Sequence, residues 1–210
     1  MPKELERRAY QFEIRAEQTD DGAILTGRPI AYNSRTDIGY FDEVIETGAL
    51  DGADLTDVRF LVNHNTSMIP LARSRRNNGN STMKLTPDQF GLNMDFVKLD
   101  TRNNADAAAL YSAVERGDLS GMSFAFSVDG EEWTELESDH PTRHIIKIGS
   151  VVEVSAVTWP AYDATEIFAR SKAALDNARS ALEKAREQSA KPLDSGELEL
   201  MKEKIKTLWR

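Results

Sequence analysis

The stretch Leu119-Ser120-Gly121-Met122-Ser123-Phe124-Ala125-Phe126-Ser127-Val128 alternates large apolar residues with small ones from Gly121 onward. Successive side chains of a strand point to opposite faces. One face would carry Met122, Phe124, Phe126 and Val128, and the other would carry Gly121, Ser123, Ala125 and Ser127. We expect the first face to join a hydrophobic core and the second to leave the Ser123 hydroxyl open to a substrate. Ser123 is therefore a candidate nucleophile.

Alternation of this kind continues over most of residues 10–161 and indicates a domain dominated by β-sheet. The pattern predicts strands at residues 10–16, 24–32, 58–64, 83–85, 92–99, 121–128, 144–148 and 150–158, with a hairpin loop at 87–91. A helix is predicted between two of these strands, with Asn103 or Asn104 as its N-cap and Gly117 at a left-handed C-cap. This helix leads directly into the strand of Ser123.

The composition changes to Ala, Lys, Arg and Glu after about Arg170, which predicts a helical tail. Two apolar seams follow at alternating three and four spacing, first Leu175, Ala178, Leu182 and Ala185 and then Leu198, Met201, Ile205 and Leu208, with a break at residues 191–196. Each seam covers about two heptads, which fits either an oligomerising coiled coil or a loosely docked, partly disordered tail. We therefore expect a domain at residues 1–170 and a C-terminal helical extension at 171–210.

Composition and charge exclude several classes of function. The chain has no cysteine, which rules out disulfides, thiolate metal sites and a cysteine nucleophile. Residues 1–170 hold 17 Lys or Arg against 28 Asp or Glu, and this acidic balance argues against nucleic acid as a partner. Nucleotide-binding glycine motifs and metal-binding motifs are missing, so we expect no cofactor and no metal. Without a long apolar run or a signal-type start, we expect no membrane contact and a cytosolic location.

A serine nucleophile needs a base, which is most often a histidine. His64 follows a predicted strand and precedes a polar loop, so its imidazole is well placed to face a cleft, although the pattern equally fits an ordinary strand-end histidine. His140 and His144 lie in a polar turn and are weaker candidates. A Ser-Lys dyad would use Lys98 or Lys147, but neither has a tight spacing to Ser123.

The third member of a triad is a group that orients the histidine. Glu153 is the single acid within the β-forming run Ser150-Val151-Val152-Glu153-Val154-Ser155-Ala156-Val157-Thr158. A buried carboxylate is destabilising without a partner, and a histidine would be a suitable one. The residue pattern by itself fits equally well a carboxylate on a solvated face.

Four blocks of sequence occur in an order that resembles the prohead maturation proteases of tailed bacteriophages. They are Phe41-Asp42-Glu43-Val44-Ile45-Glu46-Thr47-Gly48-Ala49-Leu50, Leu61-Val62-Asn63-His64, Gly117-Asp118-Leu119-Ser120-Gly121-Met122-Ser123-Phe124-Ala125-Phe126, and Val152-Glu153-Val154-Ser155-Ala156-Val157-Thr158-Trp159-Pro160-Ala161-Tyr162. The resemblance covers roughly residues 10–165.

The resemblance implies a fold similar to that of the herpesvirus assembly proteases. This is a mostly β, α+β architecture with a closed antiparallel β-barrel surrounded by a few helices, to which this chain adds its helical tail. The resemblance also implies Ser123 as nucleophile, His64 as base and Glu153 as the acid of the triad. For the oxyanion hole, residues 158–162 are our candidate for backbone donors.

The function implied is that of a serine endopeptidase acting inside the assembling procapsid in the host cytoplasm. Its substrates would be the major capsid protein, scaffold segments and its own tail, and we expect a homo-oligomer. One alternative is a non-catalytic capsid-assembly or scaffold module that binds peptide segments and oligomerises through the tail. A serine hydrolase of small esters or amides is a further alternative.

Overall fold

In a computed structural model of the chain, the structure describes residues 5–10, 14–19, 22–158 and 172–190. Several predicted features lie outside these residues: Phe12 in the first strand, the end of the fourth sequence block from Trp159 to Tyr162, the break at 191–196 and the second apolar seam. Within the described part, no helix is both long enough and apolar enough to span a membrane.

The described residues form eleven strands, two α-helices and a short 3-10 helix at Arg75–Asn77. The strands are β1 (Glu6–Tyr10), β2 (Ile14–Thr19), β3 (Gly22–Ala31), β4 (Arg35–Asp37), β5 (Asp42–Ile45), β6 (Arg59–Val62), β7 (Ala72–Arg73), β8 (Met83–Asp88), β9 (Gly91–Leu99), β10 (Gly121–Thr134) and β11 (Thr142–Val157). The helices are α1 (Ala105–Glu115) and α2 (Lys172–Ala190).

The larger sheet is mixed and has seven strands in the order β1-β10-β11-β5-β4, with β6 paired to β11 and β7 paired to β6. Its centre is the antiparallel pair β10 and β11. Residues 142–145 of β11 pair in parallel with β5, and residues 153–156 pair in parallel with β6. The second sheet is antiparallel, with four strands in the order β2-β3-β9-β8.

Neither sheet closes on itself, so the prediction of a closed antiparallel β-barrel is wrong. Among the described residues β1 pairs only with β10, and β2 pairs only with β3, so both remain edge strands and no backbone ladder joins the two sheets. The two parallel pairings of β11 also make the larger sheet mixed. Alternation decides which face of a strand is buried, but it does not decide whether edge strands pair.

β11 is one strand of 16 residues where the sequence predicted two separated at Gly149. Gly149 does not end the strand. A Cβ at this position would lie 2.3 Å from Oδ1 of Asp129 on β10, so glycine allows a close approach between neighbouring strands. The long β10–β11 hairpin therefore extends from the central sheet to the region of α2, with register shifts along its ladder between Ala125 and Glu131.

Apolar side chains from both sheets and from α1 form one buried core. The predicted apolar face of β10 belongs to it, since Met122, Phe124 and Phe126 are fully buried. Helix α1 begins where the sequence predicted: the Asn104 side chain accepts hydrogen bonds from the amides of Asp106 and Ala107. Gly117 follows the helix with a left-handed φ of 77°, and the chain then enters β10.

Helix α2 packs on the far end of the β10–β11 hairpin. Leu182 and Ala185 of the predicted seam are buried, and Leu182 shares a small apolar cluster with Ile38 and Phe41. The Arg186 side chain donates to the carbonyl oxygens of Leu136 and Ser138, at 3.2 and 3.0 Å. The described part of the tail is therefore in contact with the β-sheet domain.

Candidate active site

Ser123 lies on β10 with its hydroxyl between two acceptors. Its Oγ is 2.6 Å from Nε2 of His64 and 2.7 Å from the backbone carbonyl oxygen of Arg8 on β1. The residue is 0% exposed, and Ala125 and Ser127 on the same face are also buried. The expectation that this face is open to substrate is therefore wrong in this structure.

His64 reaches Ser123 because the chain leaves β6 through an unusual turn. The strand ends at Val62, and both Asn63 and His64 have left-handed φ values, 51° and 56°. This conformation is uncommon for residues other than glycine, although asparagine tolerates it better than most. The predicted continuation of the strand to His64 is wrong, because the turn replaces the last two strand positions.

Asn63 fixes this turn to the end of β11. Its backbone amide donates to the carbonyl oxygen of Ala156 at 2.9 Å. Its side-chain oxygen accepts from both the amide and the hydroxyl of Thr158, at 3.0 and 2.9 Å. These three hydrogen bonds hold the strained backbone in place and so fix the direction of the His64 ring.

Glu153 on β11 lies behind the imidazole, with its two carboxylate oxygens 2.8 and 3.0 Å from Nδ1 of His64. The residue is 5% exposed. The Ser155 hydroxyl donates to Oε1 of Glu153 through a short hydrogen bond and accepts from the backbone amide of His64 at 3.1 Å. Two hydrogen-bond partners thus compensate the burial of this carboxylate.

The three side chains form a continuous chain from hydroxyl to imidazole to carboxylate. An ionised Glu153 can only accept a hydrogen bond, so the proton of the neutral imidazole lies on Nδ1. Nε2 is then an acceptor that faces the Ser123 hydroxyl. The arrangement is chemically able to remove the proton of Ser123 as its oxygen attacks an electrophile.

The other two histidines lie elsewhere, next to carboxylates at or near the surface. His144 Nδ1 is 2.7 Å from Oε1 of Glu46, and its Nε2 is 3.0 Å from the Thr134 hydroxyl. His140 Nε2 is 3.2 Å from Oδ1 of Asp42. The His144 group repeats the connectivity of the buried site, but it has a threonine in place of the serine and is partly exposed.

The remaining candidates do not meet Ser123. Lys98 is exposed on β9 of the second sheet, with its Nζ over the Phe96 ring, and Lys147 is exposed on β11. Asp37, Asp42 and His140 form a surface cluster in which each residue offers one possible ligand atom within 4.8 Å of the others. This cluster does not include Ser123, His64 or Glu153.

The candidate oxyanion-hole segment is described only at its first residue. The amide of Thr158 donates to Asn63 and is therefore engaged in holding the His64 turn. Residues 159–162 lie outside the described part of the chain.

Sequence reasoning missed three contributors to the site. Ser155 had a signal, because alternation on β11 places it on the same face as Glu153. Asn63 also had one, since asparagine before a loop is typical of a left-handed turn. Arg8 had none, because its contact with Ser123 joins residues 115 positions apart and depends on strand pairing.

A comparison with protein-family models finds a match over most of the chain. The model of the Caudovirus prohead serine protease family matches residues 10–179, which include Ser123, His64 and Glu153. No curated protein and no solved structure matches the chain.

Proposed function

Because this chain belongs to the caudovirus prohead serine protease family, we propose that Ser123, His64 and Glu153 are the catalytic residues with which it hydrolyses peptide bonds. Membership makes the chain a serine peptidase of capsid maturation with capsid proteins as substrates. The alternatives of a non-catalytic assembly module and of a small-ester hydrolase are therefore not retained.

In the proposed mechanism, Nε2 of His64 takes the proton of Ser123 while Oγ attacks the carbonyl carbon of the scissile peptide. The resulting imidazolium donates this proton to the leaving amine, and an acyl-enzyme remains on Ser123. A water molecule, deprotonated by the same nitrogen, then releases the acyl group as a carboxylic acid. Glu153 stays ionised throughout, holds the ring in the required tautomer and stabilises the imidazolium.

One observation carries this proposal: among the described residues, Ser123 is the serine whose hydroxyl meets a histidine ring nitrogen. The imidazole is in turn held by a buried carboxylate. The His144 group has the same connectivity, but a family of serine proteases requires a serine, and Thr134 stands in that place. The buried group with Ser123 is therefore favoured over the His144 group as the catalytic site.

We further propose that the substrates include the major capsid protein, scaffold segments and the tail of the chain itself. The catalytic domain would comprise residues 1–170, and the extension at 171–210 would be the part removed by self-cleavage. The enzyme would work as a homo-oligomer inside the procapsid, which forms in the host cytoplasm. The acidic balance of residues 1–170 supports protein rather than nucleic acid as the partner.

The proposal is tested by covalent labelling of the full-length protein with a fluorophosphonate, followed by mass spectrometry of the labelled peptide. We expect labelling at Ser123, and a loss of at least about a thousandfold in its rate in His64→Ala. His144→Ala is a matched control because it removes an imidazole with the same types of partner. Equal labelling of wild type and His64→Ala would refute the assignment of the base.

Self-processing gives a second readout. Intact masses of purified wild type and Ser123→Ala should differ by the loss of a C-terminal segment in the wild type alone. Ser127→Ala, which removes a buried hydroxyl from the same face of β10, should be processed like the wild type. Identical trimming in Ser123→Ala would show that another protease removes the tail.

A further inference from the structure

We propose that β1 fills a groove beside β10 in which an extended substrate peptide binds, and that Glu43 in this groove recognises a basic side chain of that peptide. The inference rests on the proposed role of Ser123 as nucleophile. In this proposal, β1 of the same chain occupies the substrate groove, and a substrate strand must displace it.

β1 lies at the sheet edge beside Ser123, where a substrate strand could pair with β10. β1 is an edge strand that pairs antiparallel with β10, with Arg8 opposite Phe124 and Ala9 opposite Ser123. The carbonyl of the peptide bond between Arg8 and Ala9 therefore lies at the nucleophile, with its oxygen 2.7 Å from Oγ. Addition of a strand to a sheet edge is a common way to bind an extended peptide, and β1 occupies this edge.

The hydrogen bond from Ser123 to β1 also affects the chemistry. A serine hydroxyl has one proton to donate. Nε2 of His64 and the carbonyl oxygen of Arg8 both lie within reach of it, at 2.6 and 2.7 Å. While β1 is in place, its carbonyl competes with the base for the proton and its backbone covers the hydroxyl. Displacement of β1 removes both obstacles.

The side chain of Arg8 shows what the groove recognises. Its Nε and Nη2 each lie 2.6 Å from one carboxylate oxygen of Glu43, a bidentate pair in which Glu43 is 0% and Arg8 8% exposed. The guanidinium also lies 5.7 Å from the centre of the Phe126 ring. A planar fork held by a carboxylate and an aromatic ring favours arginine over lysine.

The charges that remain without β1 also favour a cation. β5, β10 and β11 contribute Glu43, Glu131 and Arg143 to this cluster, and Arg143 contacts both carboxylates. Without β1, two carboxylates share the single guanidinium of Arg143, and Glu43, which is 0% exposed, has one arginine partner where it now has two. This buried carboxylate favours the entry of a second cation. In this structure Arg8 of β1 supplies that cation to Glu43, while Glu6 of the same strand pairs with Arg143, so that β1 leaves the net charge of the cluster unchanged.

The family match includes the groove residues but only the last residue of β1. The matched region begins at residue 10, so residues 6–9 of β1 precede it, whereas Glu43, Glu131 and Arg143 lie within it. The groove thus belongs to the family-matched part of the chain, and most of its occupant does not.

The proposal is tested by binding of a fluorescent peptide of sequence Leu-Glu-Arg-Arg-Ala-Tyr, that of residues 5–10, to full-length variants. Arg8→Ala weakens the hold of β1 on the groove, while Glu43 keeps Arg143 as a partner. We expect a Kd at least about tenfold lower for Arg8→Ala than for the wild type, because the internal competitor is weaker. Arg7→Ala is the matched control, since Arg7 is the exposed neighbour on the same strand, and it should bind like the wild type.

A second peptide, with alanine in place of its second arginine, should bind Arg8→Ala at least about tenfold more weakly than the first. If Arg8→Ala does not fold, Arg8→Lys keeps the charge but loses the planar fork, and a Kd between those of the wild type and Arg8→Ala is expected.

Equal affinity of Arg8→Ala and Arg7→Ala for the first peptide, or equal affinity of Arg8→Ala for the two peptides, overturns the proposal. Because peptide binding needs no catalysis, a failure of Ser123 to react with the fluorophosphonate would refute the proposed function alone.

Discussion

Glu153 contacts the His64 imidazole through both of its carboxylate oxygens, which lie 2.8 and 3.0 Å from Nδ1. This bifurcated contact lies on the side of the ring away from Ser123, so it fixes the nitrogen that faces the hydroxyl as an acceptor. The orientation of the ring thus depends on a residue that does not touch the nucleophile.

Glu153→Gln should therefore slow catalysis strongly while leaving the fold intact. A glutamine amide has a similar shape, but its NH2 group can donate to Nδ1 and stabilise the tautomer in which Nε2 carries the proton. We expect a decrease of about 10²- to 10⁴-fold in the rate of fluorophosphonate labelling at Ser123. Glu46→Gln, which changes the carboxylate of the His144 group, should label at the wild-type rate. Comparable rates in the two variants would contradict the role of Glu153.

Ser155 connects the backbone of His64 to the carboxylate of Glu153. We infer that it is a positioning residue, because it contacts two members of the group and not the Ser123 hydroxyl. Ser155→Ala should lower kcat by about ten- to a hundredfold with little change in KM, since the ring would lose part of its alignment. Ser155→Thr, which keeps a hydroxyl, should recover part of this loss.

Ser127→Ala provides the control for a purely structural effect. Ser127 is also buried, and its hydroxyl bonds to that of Ser150 at 3.0 Å. Both alanine variants should lose about 1 kcal/mol of unfolding free energy in urea. A loss of kcat in Ser127→Ala equal to that in Ser155→Ala would mean that general destabilisation, rather than alignment of His64, explains the effect.

A substitution in the left-handed turn at Asn63 should also distinguish an effect on activity from an effect on stability. Asn63→Gly keeps the backbone conformation accessible but removes the two hydrogen bonds from Thr158, so the His64 ring should be held less firmly. We expect a loss of about tenfold in labelling rate and of about 1–2 kcal/mol in unfolding free energy. Asn33→Gly is the control: Asn33 also has a left-handed φ and a side-chain hydrogen bond, to Thr47. It should lose stability without loss of labelling.

The strands and the capped helix were predictable because their signals are local. Alternation at residues 92–99 identifies β9, and Asn104 with Gly117 identifies α1. The short strands β4, β5 and β7 were missed, since two to four residues are too few to establish a period. Closure of the sheet into a barrel was wrongly predicted. Closure depends on which edge strands pair, and no single segment of the sequence determines that pairing.

Local sequence signals were also insufficient to predict the surroundings of the candidate site. Ser123, His64 and Glu153 were each proposed from their local surroundings and from the order of the sequence blocks, and the structure brings the three side chains together. The open face expected around Ser123 is instead covered, because β1 pairs with β10 and its carbonyl reaches Oγ. A residue pattern on one strand contains no information about a neighbour that arrives from more than a hundred positions away.

The buried charge cluster predicts how stability depends on pH. Burial acts to raise the pKa of Glu6, but the charge of Arg8 and the hydrogen bonds from Arg143 outweigh it and lower this pKa from 4.5 to about 2. A pKa that is lower in the folded state means that ionised Glu6 contributes stability above pH 4.5, and that this contribution is lost as the pH falls towards 2. At most about 3 kcal/mol of unfolding free energy is involved.

We therefore expect the unfolding free energy of the wild type to fall more steeply between about pH 5 and about pH 2 than that of Glu6→Gln, as measured by urea titration at each pH. Glu17→Gln, which removes an exposed carboxylate from β2, should retain the wild-type slope. A slope for Glu6→Gln equal to that of the wild type would show that Glu6 is not held by the two arginines in solution.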